Sequence, residues 1–165
     1  MAQNNEEVIG YLNDLIETCK DGEKGFRAAA TRVGKDGEPL LRTALNLYAQ
    51  QRAEFAAELE NEVLRRGGEP VKSGHVSASF RRGWLDVKSA LKAGPDYADA
   101  GDYESEILAA CDAGEKAAIE NYQDVLKKML PSDLLSIVEK QHQDIREAHK
   151  HLRSLSKAYR PAAAG

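Results

Sequence analysis

Basic residues are not in excess in this chain. Its 23 lysines and arginines stand against 27 acids, a formal net charge of −4. That balance excludes the electrostatic footprint of a nucleic-acid-binding surface. The short Arg65-Arg66 and Arg81-Arg82 pairs read as solvated faces. Long apolar runs are missing too: none approaches the ~20 residues that a membrane-spanning helix needs. The opening stretch "MAQNNEEVIG" has neither the basic segment nor the apolar centre of a signal peptide. Cysteine is scarce, with Cys19 and Cys111 alone and no CxxC spacing. Reduced thiols in a cytoplasmic protein are therefore expected. Proline occurs only five times and β-branched runs are absent, so no stretch alternates as a strand would. A phosphate-cradling loop is lacking, because "GGEP" at 67–70 closes a helix rather than opening one after a strand. No nucleophile and base stand at a suggestive spacing; "GHVSAS" has a serine and a histidine without a triad around them.

What is present is a supply of Ala, Leu, Glu, Lys and Arg in long uninterrupted stretches, which are helix formers. Asn4 or Asn5 can cap a first helix, with Glu6 and Glu7 in its first turn, running to about Val33. A second is expected from Pro39 to Arg66, stopped by Gly67-Gly68. Asp102 can cap a third that reaches Leu130, and Pro131-Ser132 start a fourth that runs to about Ala158. Short loops make helices 1–2 and 3–4 antiparallel hairpins. The connection between helices 2 and 3 is about 35 residues long, enough to travel the length of a bundle, and Val76 to Leu91 within it read as a short amphipathic helix. The expectation is an all-α four-helix bundle with one long crossover carrying an extra helix. It forms a single domain over 1–160, with a disordered tail at 161–165.

The chain repeats itself. "TCKDGEKG" at Thr18–Gly25 returns as "ACDAGEKA" at Ala110–Ala117, 92 residues later. Each phrase puts a glutamate, Glu23 or Glu115, into an otherwise apolar 3-4 spaced stripe. Leu41, Ala44, Tyr48, Gln51 and Phe55 form the stripe of helix 2; Leu134, Val138, Gln141, Ile145 and Ala148 that of helix 4. "QRAEF" and "QHQDI" then match at Gln51 and Gln141, with Glu54 beside Asp144. A pseudo-twofold bundle would bring Glu23 and Glu115 face to face with Gln51 and Gln141 alongside. Two carboxylates in a dry site need a cation, amide donors, a water or a shared proton. A buried polar layer Glu23–Gln51–Glu115–Gln141 is one solution. A metal site is the other.

On these residues the chain resembles the ferritin-like superfamily, which places one Glu on each of helices 1 and 3 and Glu-x-x-His on each of helices 2 and 4. "CKDGEK", "QRAEFAAEL", "RRGGEPV" and the "RRGW" of the crossover are similar to a bacterial family of small ferritin-like four-helix-bundle proteins of unknown function. The resemblance covers nearly the whole chain and implies that fold. Where it implies Glu-x-x-His, this chain has Gln51-x-x-Glu54 and Gln141-x-x-Asp144. Two functions follow. One is a non-catalytic bundle without cofactor, acting in stress response or as an interaction module. The alternative is a carboxylate-bridged iron or manganese protein with oxidase or storage activity, its ligands Glu23, Glu54, Glu115, Asp144 and His149, with Glu58 a further candidate. Phe80, Trp84, Tyr97 and Tyr103, in or beside the crossover, lead to the expectation of a homodimer or higher homo-oligomer.

Overall fold

The structure is a computed structural model that describes residues 4–33, 39–72 and 100–159. Four long helices fill them: α1 (Asn5–Val33), α2 (Pro39–Arg65), α3 (Ala100–Leu126) and α4 (Ser132–Tyr159). No strand occurs among the described residues. The short helix expected at Val76–Leu91, residues Phe80, Trp84 and Tyr97, the side chain of Tyr103 and the tail lie outside them. Among the described residues, no helix is long and apolar enough to cross a membrane.

Local chemistry sets most boundaries. Asn4 caps α1: its Oδ1 accepts the Glu6 N–H at 3.1 Å, while its carbonyl accepts those of Glu7 and Val8. Pro39 opens α2, where a missing N–H costs nothing. Past Arg65, Gly67 takes φ 75°, and the Gly68 N–H returns to the Val63 carbonyl at 3.0 Å. This left-handed cap suits glycine, which has no Cβ to clash. Helix α3 stops at Leu126, four residues short of the expected end. Pro131 disfavours helix in the residue before it and offers no N–H of its own.

Closest approaches run α2–α1–α3–α4, and α4 returns more loosely to α2. Side-chain pairs fix the directions. Lys20 meets Glu60 at 2.6 Å and Asn5 donates to the Arg66 carbonyl, so α1 and α2 are antiparallel. The Lys128 ammonium lies over the Tyr11 ring and Cys19 meets Tyr122, so α1 and α3 are antiparallel as well. Tyr122 bonds Gln141 and Asp112 bonds His149 across α3 and α4. Tyr48 bonds His151, and Arg66 reaches Asp133 at 3.1 Å, across α2 and α4. Helices α2 and α3 therefore lie on a diagonal. The core between the four is made of the apolar stripes, with Leu12, Ile16, Phe26, Leu45, Leu59 and Leu108 all fully buried.

Candidate functional site

Where those stripes converge, two charged side chains lie in the core. Arg52 and Glu115 are 1% and 0% exposed and cross the diagonal from α2 to α3. The guanidinium meets the carboxylate in a fork: Nη1 to Oε1 at 3.0 Å and Nη2 to Oε2 at 2.7 Å. Arg52 faces inward because the buried stripe of α2 runs Leu45, Ala49, Arg52, Ala56, Leu59 and Val63. Its stem needs room, which α1 supplies at Gly22. A Cβ there would sit 3.3 Å from the Arg52 Cγ. The guanidinium carbon also lies 5.5 Å from the centre of the Phe26 ring and 6.0 Å from that of Phe55, where the ring faces favour a cation. Burial pushes the Glu115 carboxyl up to about 7, while Arg52 pulls it the other way.

A second polar arrangement lies about two turns from the first along α3. Tyr122 donates its hydroxyl to Gln141 Oε1 at 2.8 Å, and the Tyr122 hydroxyl oxygen itself stands 3.0 Å from the Cys19 sulfur. Gln141 Nε2 passes the connection on to Glu58 Oε1 at 2.7 Å. One residue from each of the four helices thus joins a single chain of hydrogen bonds, from a core thiol to the surface. The chemistry it allows is quiet. Burial raises the Cys19 thiol to about 11 and the Cys111 thiol further still, so neither supplies a thiolate nucleophile at neutral pH. Tyr122→Phe should cost roughly 1–3 kcal/mol, because the buried Gln141 oxygen and the thiol each lose a partner. Urea titration of the two proteins measures it, and an unchanged midpoint would remove this chain from the stabilising contacts.

The residues expected to form one site are dispersed. Glu115 and Gln141 are both buried, but in different layers. Glu23 is not opposite Glu115: its side chain is 28% exposed and accepts from Arg27 one turn on. The antiparallel register explains this. With Cys19 level with Tyr122, Glu115 falls level with Phe26 and Glu23 level with Ala118. Gln51 is half-buried at the edge, its Oε1 without a hydrogen-bond partner among the described residues. Glu54 accepts from Gln50 at 3.2 Å and Asp144 from Lys140 at 3.0 Å. Both line a cavity of about 160 Å³ with Glu58 and Gln141. His149 Nε2 is 2.6 Å from Asp112, on another edge. Among the described residues, no three His, Cys, Asp or Glu side chains come together as metal ligands.

Sequence reasoning missed Arg52. The signal was available, since Leu45, Ala49, Ala56, Leu59 and Val63 share a face with residue 52 and not with residue 51. An arginine on that face reads as a break in the stripe unless its partner charge is known.

No curated protein matches the chain. A family does match, over residues 7–128, which takes in α1, α2, their connection to α3 and α3 itself. The interior just described belongs largely to that span. Arg52, Glu115, Gly22, Cys19 and Tyr122 lie within it, and Gln141 alone comes from α4 beyond it. The chain belongs to this family, described as a domain of unknown function (DUF2383).

Proposed function

We propose that this protein is a non-catalytic, ferritin-like helical bundle in which a guanidinium occupies the place that a metal cation takes beside interior carboxylates. One observation carries the reading: the fully buried carboxylate of Glu115 is neutralised from within the chain, by both forks of Arg52. An arginine stays protonated at any physiological pH, so this counter-charge is permanent and needs no ion. The directions of the helices support the crossover. The end of α2 lies beside Asn5, and the α1/α3 register carries the start of α3 toward the opposite end of α1. The interior then holds the four helices in register, and the function is exerted at the surface.

Elemental analysis of protein purified without chelator tests this. Iron and manganese should be far below stoichiometric. About one or two ions per chain, as in the di-metal bundles, lost in Glu115→Gln, would overturn the proposal in favour of a carboxylate-bridged metal protein.

A further inference from the structure

Helix α2 carries a second stripe, on the side away from the core. Leu40, Thr43, Leu47, Gln50, Glu54, Ala57, Asn61 and Leu64 follow a strict 3-4 spacing, and every one of them is exposed. Leu40, Leu47 and Leu64 are 73%, 63% and 59% exposed. Among the described residues, large exposed hydrophobic side chains number four, and three of them stand on this one line. A spacing of 3.5 on average is that of a helix seam meant for another helix. Among the described residues these side chains stay exposed, because the opposite face of α2 makes the core.

We propose that this stripe is the interface for a second copy of the chain, docked antiparallel about a twofold axis level with Arg52. The order of residues along the stripe is the argument. Read forward or backward, it keeps one order: leucine at the end, a small polar residue, an apolar residue, and a polar pair at the centre. Laid on itself in the antiparallel sense, Leu40 meets the partner's Leu64 and Thr43 meets the partner's Asn61. Leu47 meets the partner's Ala57, and Gln50 meets the partner's Glu54. Such self-complementarity is what a twofold interface requires of a single surface. It is not required of a surface that binds a different protein.

Charge selects the antiparallel sense over the parallel one. A parallel pair would set Glu54 directly against the partner's Glu54, and facing like charges are destabilising. In the antiparallel pair each glutamate faces an amide. Gln50 already donates to Glu54 of its own chain at 3.2 Å, and its second N–H is free to reach across. Leucines at the two ends and a polar pair at the centre give the apolar contact and the register together, as a single polar position does in coiled coils. The stripe spans about 36 Å of helix, a length able to support a modest, reversible dimer. The inference is independent of whether the interior binds metal.

Sedimentation velocity of the full chain at micromolar concentration should show a dimer. Leu47→Glu enters the interface twice by symmetry and should raise the dimer Kd on the order of 100-fold. Its far-UV circular dichroism should stay unchanged, because the side chain is exposed in the monomer. Register is read by crosslinking. Thr43→Cys chains mixed with Asn61→Cys chains should link under a short thiol reagent, while neither alone should. Cys19 and Cys111 are both fully buried and do not compete. A monomer at these concentrations, a dimer indifferent to Leu47→Glu, or crosslinks between two Thr43→Cys chains would each overturn the proposal.

Discussion

Arg52→Met should cost the fold about 3–5 kcal/mol at neutral pH, the loss typical when one partner of a buried ion pair is removed. The methionine keeps much of the apolar stem and its contact with Phe26, so little of the loss comes from packing. The cost arises at Glu115, which has no exposure to water and no counter-charge once the fork is gone. Arg52→Met combined with Glu115→Met should recover most of the loss, because the interior then holds no charge at all. Denaturant titrations of the two single variants and the double complete a cycle that isolates the pair. Equal losses in all three would place the effect in packing instead. The single variant should also respond to acid. A buried carboxyl whose pKa is raised holds its proton more tightly folded than unfolded. Its contribution is therefore fully present below the unfolded value and lost as pH rises through the folded one. Burial holds Glu115 at about 7 even with Arg52 present, above an ordinary 4.5, and removing the guanidinium raises it further. The deficit of Arg52→Met should accordingly shrink as the pH is lowered from about 9 toward 7, where Glu115 of the parent takes up its proton too, and level off below that; a deficit that grows on acidification would contradict this account.

Phe26→Ala should be comparably damaging, at about 3–5 kcal/mol. Its ring is fully buried, lies 5.8 Å from the ring of Tyr48 and supports the Arg52 guanidinium. Truncation opens a cavity beside the two charges. Phe26→Leu fills much of that space but removes the aromatic face, so the difference between the two variants separates volume from cation attraction. A loss below about 1 kcal/mol for alanine would mean that α1 collapses onto α2 at this level. Gly22, one turn earlier, makes such a collapse hard, because the Arg52 stem already occupies the space that a shift would need.

Helix ends were legible where a side chain makes them. Asn4, Pro39 and Gly67 act locally, and local chemistry can be read from a sequence. The all-helical class and the four long segments were legible for the same reason. The stripe of α4 was read correctly, with Leu134, Val138, Gln141, Ile145 and Ala148 all buried, because a 3-4 apolar spacing survives one polar interruption. Helix α2 was read in phase through Leu41, Ala44 and Tyr48, all buried, and one residue out of phase from Gln51 on. Gln51 looked like the counterpart of Gln141, and an arginine in the core has no local signature. What made Arg52 an interior residue lies on other helices: a glycine on α1 that leaves room and a glutamate on α3 that supplies the charge. The pairing of Glu23 with Glu115 failed for a related reason. Equivalent residues of a repeat meet only at the level of the axis, and the register set by Cys19 and Tyr122 puts these two on either side of it.

Cys19 with Tyr122, Tyr48 with His151 and Asn121 with Thr18 are each joined by a hydrogen bond between residues 103 positions apart. Contacts so distant in sequence are slow to form, because the loop they close carries a large entropy cost. The hairpins α1–α2 and α3–α4 can each zip up from their own short turns. Their meeting is then the late event of folding, and it is also the moment at which Arg52 and Glu115 must shed their water together. A chain built this way has its kinetic barrier at the junction of its two halves, and the refolding rate of the uncharged double variant, set beside that of the parent, measures how much of the barrier is the drying of those two ions.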